Sequence, residues 1–310
     1  MIFTLRAVMV SLAFFSMLYC FLSLLLVATW KCLSSCRIQK YITVRGLFVL
    51  RLIPFGISAT VSLFLTLPSF LRFEAHAMDE DLCTFVLAIC AMLILIAGTY
   101  RVSVAEARTR QVVGACLEDA TAVEVGATTI TVASRQTVSP LMLVGLFAPR
   151  ILISESARQV LSNAELEVAV RHEMQHQGSH DNLKKAILNC LPFPGMAKLE
   201  KAWQEASERA ADNGAVSSRK EALDLAAALI KLTRHFPHKA TPLLATGLVS
   251  VVESMPVRIE RLLAWKEPQA ARSGGWPYAV PVVSAVLLVL VAKFGAMLVL
   301  VHSITERLVP

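Results

Sequence analysis

Hydrophobic positions fall in long unbroken blocks towards the two ends of this chain and in short periodic patterns through its middle. Ala7–Trp30, Leu52–Leu71 and Leu82–Tyr100 hold no charged residue, and Trp276–His302 holds only Lys293. A helix needs about 20 predominantly apolar residues to cross the hydrocarbon core. The pattern therefore predicts four spans, at about 7–30, 47–71, 82–100 and 276–302. The first exceeds the roughly 7–15 apolar residues of a cleaved signal core and lacks a clear small-residue cleavage site, so it reads as a retained span. Basic residues orient such helices. Lys31, Arg37, Lys40 and Arg45 follow the first span, the loop RFEAHAMDED after the second is mostly acidic, and Arg101, Arg108 and Arg110 follow the third. This alternation places both termini outside, residues 101–275 in the cytosol, and 303–310 as a short outer tail.

The periodicity changes within 101–275. TAVEVGATTITVAS, LMLVGL and RILIS are β-branched, partly alternating runs, and they predict a small antiparallel sheet over about 121–154. From Ser162 the signals turn helical. Ser162 with Glu165, and Ser218 with Glu221, match the capping box that satisfies the first free N–H groups of a helix. Helices are expected through AELEVAVRHEMQHQ, over Asn182–Cys190 up to the LPFPG break, from about Met196 to Asn213, through EALDLAAALIKLTRH, and through PVRIERLLAW.

The chemistry lies in RHEMQHQGSHDN. His172 and His176 stand four apart, which on a helix puts both imidazoles on one face, able to ligate one ion. Glu173 is rotated about 100° from His172, free to face a water rather than the ion. This H-E-x-x-H spacing is the zinc-peptidase pattern, with the glutamate as general base. A third ligand belongs on another helix, leaving one position open. EASERAADNGAV offers Glu205 and Glu208. Glu208 shares a face with Asp212, which is placed to orient a ligand imidazole. Ala206, Ala210 and Ala211 suit close packing around Glu208, whereas Glu200 and Glu205 read as a solvated acidic face.

Composition alters this little. The net charge of +7 is explained by residues flanking the spans, and no basic cluster with interleaved aromatics points to nucleic acid, so no direct binding of it is expected. Cysteines number seven. Cys32 and Cys36, a C-x-x-x-C without a second pair, read as free thiols.

With these motifs in view, SPLMLVGLFAPRILIS, LSNAELEVAVRHEMQHQGSHDNL and SERAAD together resemble the BlaR/MecR-type antirepressor membrane zinc metallopeptidases, gluzincin-like enzymes, over roughly 120–265. The four-span layout resembles theirs too. The resemblance implies an α-helical membrane protein of a bacterial-type inner membrane, with four transmembrane helices and a cytosolic α+β zincin-like metallopeptidase domain. It implies one Zn²⁺ on His172, His176 and Glu208, with Glu173 as base and Asp181, Asn182, Asp212 and Arg258 in support. It further implies a cytosolic protein substrate, a transcriptional repressor, and a signalling role. Two departures stand out. Gly178, Ser179 and His180 replace the family's basic residues before Asp-Asn, and no large extracellular sensor is expected after the fourth span. The signal is then expected through the spans, the outer loop or a separate sensor protein. The alternatives are a Ste24-type quality-control peptidase and a non-catalytic signalling or scaffold protein that retains the zinc fold.

Beside the zinc pattern, His235, His238 and Arg258 are candidates to stabilise an oxyanion, and Arg258 equally to pair with a carboxylate. LMLVGL or RILIS offers a sheet edge for an extended substrate. Arg51 reads as an anchor at the inner end of the second span, and Lys293 as a residue snorkelling to the outer surface.

Overall fold

The structure is a computed structural model, which describes residues 2–35, 42–73, 82–117, 120–125, 128–133, 140–236, 245–247, 255–267 and 293–308. In chain order the elements are α1 (Ile2–Ser35), α2 (Val44–Val61), a π-helical turn (Ser62–Thr66), α3 (Leu67–Phe73) and α4 (Leu82–Leu117). Then come β1 (Thr121–Val125), β2 (Thr128–Ala133), β3 (Leu141–Val144), β4 (Arg150–Ser154) and α5 (Glu155–Val160). The order continues with α6 (Asn163–Gly178), α7 (Asp181–Cys190), α8 (Ala197–Ala215), α9 (Arg219–His235), β5 (Ala245–Gly247), α10 (Met255–Leu263) and α11 (Phe294–Leu308). They form two units: Met1–Cys36, Leu52–Ala97 and Gln269–Pro310 in one, Arg37–Arg51 and Gly98–Pro268 in the other.

Three helical stretches, Thr4–Leu33, Val44–Phe73 and Leu82–Cys116, are long and apolar enough to cross a membrane. In the first unit Phe15 stacks on Tyr19 at 5.7 Å, and both meet the edge of Phe55. Phe21, Leu24, Phe64, Leu93 and Ile96 are exposed instead, the surface expected of helices solvated by lipid. Pro54 lies inside α2, where it removes an N–H from the helix ladder. Of the expected fourth span, residues 276–292 lie outside the described residues, and the remainder enters α11.

The third apolar helix does not end at Tyr100 as the charge pattern suggested. It runs on to Leu117, because Ala105, Thr109, Val112 and Cys116 form a stripe at i, i+4, i+7 and i+11 inside the second unit, to which α4 belongs from Gly98 on.

That unit is built around a five-stranded sheet in the order β1-β2-β4-β3-β5. The period of two sorts its residues cleanly. Leu141, Leu143, Ile151 and Ile153 join Leu166, Val170, Leu225 and Leu229 of α6 and α9 in the main core. Met142, Val144 and Leu152 face the other way, against Cys116, Val112 and Val113 of α4. Burying such a side chain stabilises by about 1.5–3 kcal/mol.

The sheet is not wholly antiparallel. Two antiparallel hairpins join along a parallel seam, with Thr131 opposite Leu152 and Val132 opposite Ile153. β4 takes the centre of that order and β3 lies outside it, both strands covered on their two faces. β5, which no pattern announced, then pairs with β3. LMLVGL and RILIS are therefore interior strands, and neither offers a free edge to a substrate.

Candidate metal centre

The capping box at Ser162 starts α6 as expected. Ser162 N–H donates to Glu165 Oε2 at 2.8 Å, and Ser162 Oγ accepts from Glu165 N–H. Such a cap is worth about 1 kcal/mol. Lys231 Nζ donates to the same Glu165 oxygen from α9, also at 2.8 Å, tying the helix start into the core. Leu166, Ala169 and Val170 then face that core, which turns His172, Glu173 and His176 into the protein, each at most 1% exposed.

At the other end the chain reverses sharply. His180 adopts φ +55°, a left-handed conformation that histidine tolerates better than most residues. The side chain itself is exposed, so this histidine shapes the turn and does not reach the site. The reversal starts α7 beside the end of α6 and brings Asp181 back to His176, with Oδ2 at 2.7 Å from Nδ1. Asn182 fixes the corner by donating from Nδ2 to the carbonyls of Leu143 and Gly145, both at 3.1 Å.

α8 packs along α6 and carries a matching pair of carboxylates. Glu208 lies 3.7 Å from His172 Nε2 and 3.8 Å from His176 Nε2, and the two Nε2 atoms are 3.2 Å apart. Asp212 Oδ1 is 3.1 Å from His172 Nδ1. Ala206 and Ala211 make the close approach possible, while Ala210 is exposed. Glu205 stays out of the cluster and lies 3.8 Å from Lys201.

His172, His176 and Glu208 thus offer three buried ligand atoms, all within 4.8 Å of one another. Four ligands at zinc distances of about 2.0–2.1 Å in tetrahedral array stand roughly 3.3–3.5 Å apart. The observed spacings are close to that. The local chemistry agrees. A proton on each Nδ1, facing its carboxylate, leaves both Nε2 atoms as lone-pair acceptors aimed at one point. A cation between them resolves that conflict. Both oxygens of Glu173 are buried with no hydrogen-bond partner among the described residues, and they sit beside the cluster without belonging to it.

Burial raises the Glu173 pKa, against the pull of His172 and His176. Burial would lower His176, but the hydrogen bond to Asp181 and the charges of Glu208 and Glu173 raise it overall. Asp181 and Asp212 are both held below the usual carboxylate range despite burial, Asp181 chiefly by His176 and Asp212 chiefly by Arg258.

Arg258 resolves the choice left by its sequence. Fully buried, it reaches Asp212 Oδ1 through Nη2 at 2.7 Å, Asp212 Oδ2 through Nε at 3.2 Å, and Glu208 Oε2 through Nη1 at 3.1 Å. The guanidinium is thus engaged by the two carboxylates, the structural pairing that its sequence left open. His235 is exposed at the end of α9, with Nδ1 2.8 Å from the Lys231 carbonyl, and His238 lies outside the described residues.

Three further residues went unread. Arg261 donates to Asp212, Ser207 donates to Asp181, and Lys185 lies in the field of Glu208, Asp181 and Glu173, its pKa lowered by burial. Spacing could have flagged Arg261, three residues after Arg258. Nothing in the sequence marks Ser207 or Lys185.

Among curated proteins, no match was found. A family model described as BlaR1 peptidase M56 matches residues 69–262, which take in α4 from its start, the sheet strands β1 to β5, the metal centre and most of α10. This chain belongs to the BlaR1 peptidase M56 family.

Proposed function

We propose that the protein is a membrane-anchored zinc endopeptidase of zincin-like α+β fold, cutting a cytosolic protein in a signalling pathway. The observation that carries this reading is the convergence of His172, His176 and Glu208 beside a buried, unpartnered Glu173. Family membership supports the peptidase activity. Four spans with residues 101–275 on the cytosolic side follow the distribution of Lys and Arg, and a repressor is the substrate we favour, with the stimulus arriving through the spans or a separate sensor.

His172, His176 and Glu208 would hold a zinc ion, which would supply an activated water and polarisation of the scissile carbonyl. The protein's own groups do the rest. Asp212 and Asp181 hold the two imidazoles in the tautomer that presents Nε2. Glu173 accepts the proton of the attacking water as its oxygen bonds to the carbonyl carbon. It returns that proton to the amide nitrogen as the C–N bond breaks. Asn182 keeps the α6–α7 corner against the sheet, and Arg258 keeps Glu208 and Asp212 apart from one another's charge.

The test is zinc content and proteolysis in wild type and Glu173→Gln. One zinc per chain in both proteins is expected, with cleavage in the variant reduced about 10²–10⁴-fold, the usual contribution of a general base. Substrate trapped by the inactive variant would identify the target. If zinc binds but wild type and variant are equally inactive towards the trapped proteins, the reading falls to a non-catalytic scaffold. If wild type binds no zinc, the site assignment is wrong.

A further inference from the structure

Arg51 is among the largest fully buried side chains in the protein, 1% exposed, and the metal centre makes no direct use of it. It lies in α2, but Arg37–Arg51 belongs to the peptidase unit. Its Nε donates to Glu200 Oε1 at 2.9 Å, and its Nη2 donates to the Leu191 carbonyl. Leu191 is the cap that ends α7, and Glu200 is in the first turn of α8. One guanidinium therefore staples both sides of the corner between the helix of Asp181 and the helix of Glu208.

Neighbouring contacts reinforce the staple. Leu47, one turn before Arg51, is buried, and the Phe48 ring lies 6.1 Å from that of Trp203, itself 1% exposed. Lys184 Nζ sits 5.8 Å from the centre of the same Phe48 ring. On α4, a Cβ added at Gly98 would fall 1.9 Å from the Cys190 carbonyl oxygen, so only glycine admits this approach to the end of α7.

The position along α8 gives the staple its consequence. Glu200, Trp203 and Ser207 stand at i, i+3 and i+7, on one face of the helix. Ser207 ends that stripe by donating to Asp181, which holds His176. Glu208, the next residue, is about 12 Å along the axis from Glu200 at 1.5 Å per residue. A helix packed in a dense core moves nearly as a rigid rod. A slip of α8 at the corner therefore shifts Ser207 and Glu208 together against His172 and His176.

We propose that Arg51 is a positioning residue for the metal centre: by clamping Glu200 to the Leu191 carbonyl it sets the placement of α8, and with it the distance of Glu208 and the Ser207–Asp181 pair from the two imidazoles. The proposal rests on the zinc reading above and deepens it. It makes the Arg51 end of α2 the point at which the site can be tuned, since releasing one side chain there loosens the third ligand and the Ser207 support of Asp181 while leaving α6, which carries the first two ligands, unaltered.

The experiment measures zinc affinity by chelator competition on the full-length chain in detergent, with cobalt substituted for its visible absorption spectrum and thermal melting in parallel. Arg51→Gln is expected to weaken zinc binding about 10-fold, the low end for groups supporting a ligand, and to alter the cobalt spectrum. Glu200→Gln should shift both readouts in the same direction by less, and Arg51→Lys should restore part of the affinity. A merely structural role would lower the melting temperature while leaving affinity and spectrum at wild-type values, and that result overturns the proposal. Should Arg51→Gln fail to fold, Glu200→Gln decides in the same way: weakened zinc supports the staple, unchanged zinc removes it. Zinc bound by wild type and lost in His172→Ala upholds the metal reading whatever Arg51 does. A wild type that binds no zinc overturns both.

Discussion

The two halves of the candidate metal centre hold their imidazoles by opposite means. His176 leans on Asp181, only five residues away, which is supported by Ser207 and by Lys184 at 3.4 Å. That arrangement is local, made by the reversal at His180 and pinned by Asn182. His172 leans on Asp212, forty residues on, which is flanked by the guanidinium groups of Arg258 and Arg261. One side is positioned by the path of the chain and the other by buried charge. The difference predicts where the site is robust. A local turn survives small shifts of packing, whereas a buried array of two carboxylates and two guanidiniums depends on every member being present.

The largest effect should come from removing Arg258. Its loss leaves Glu208 without a guanidinium and Asp212 with Arg261 alone, and breaking a buried charge array of this kind costs about 3–5 kcal/mol. Arg258→Met should then lower the melting temperature by on the order of 10 °C for a unit of this size. Ser207→Ala, on the other side, should cost only about 1–3 kcal/mol through the hydrogen bond lost at Asp181. Equal losses in differential scanning calorimetry would abolish the distinction between a charge-held and a chain-held half.

A sharper test compares the two carboxylates directly. Asp181→Asn and Asp212→Asn each remove the negative partner of one imidazole, and changes of this kind weaken metal binding about 10–100-fold. The two should not be equal. In Asp212→Asn, Arg258 keeps a single carboxylate, Glu208, and draws it away from the imidazoles, so this variant belongs near 100-fold. In Asp181→Asn the amide still accepts from Ser207 or His176, which places it near 10-fold. Chelator competition at one pH decides the ranking, and the reverse order would mean that Arg258 does not govern the placement of Glu208.

The same contrast explains what could be read from the chain. His172 with His176 and Glu208 with Asp212 are i, i+4 pairs, and the boxes at Ser162 and Ser218 are i, i+3 patterns. Helix geometry alone brings these together, so spacing exposes them. Even here the second box closes differently, because Glu221 reaches the N–H of Ser217 instead of that of Ser218. Arg51 and Glu200 are 149 residues apart, and β3 meets β5 across a hundred residues. No periodicity encodes such partners, and an arginine just before a charge-free run looks like any membrane flank until packing buries it. The parallel seam between β2 and β4 was hidden for the same reason. It follows from which strand takes the centre of the sheet, a property of all five strands together.

The smallest effect lies just outside the centre and tests whether the charge-held half extends along α6. Arg171, the residue before His172, pairs with Glu221 at 2.6 Å, and Glu221 also accepts from the N–H of Ser217 at 2.7 Å and from its hydroxyl at 2.6 Å. The hydrogen bonds from Arg171 and Ser217 lower the Glu221 pKa to about 2. A carboxylate depressed in the folded state contributes stability fully above its ordinary pKa, near 4.5, and loses it as the pH falls through about 2. The pair is partly exposed, so screening limits its worth to about 0.5–1 kcal/mol. Glu221→Gln should therefore melt slightly below wild type at neutral pH, and the gap should close between pH 4.5 and 2. Taking the difference between two metal-stripped proteins removes the histidine titrations common to both. A gap that persists unchanged to pH 2 would show that the carboxylate charge adds nothing there, and that the electrostatic fastening of the His172 side stops at Arg258 and Arg261.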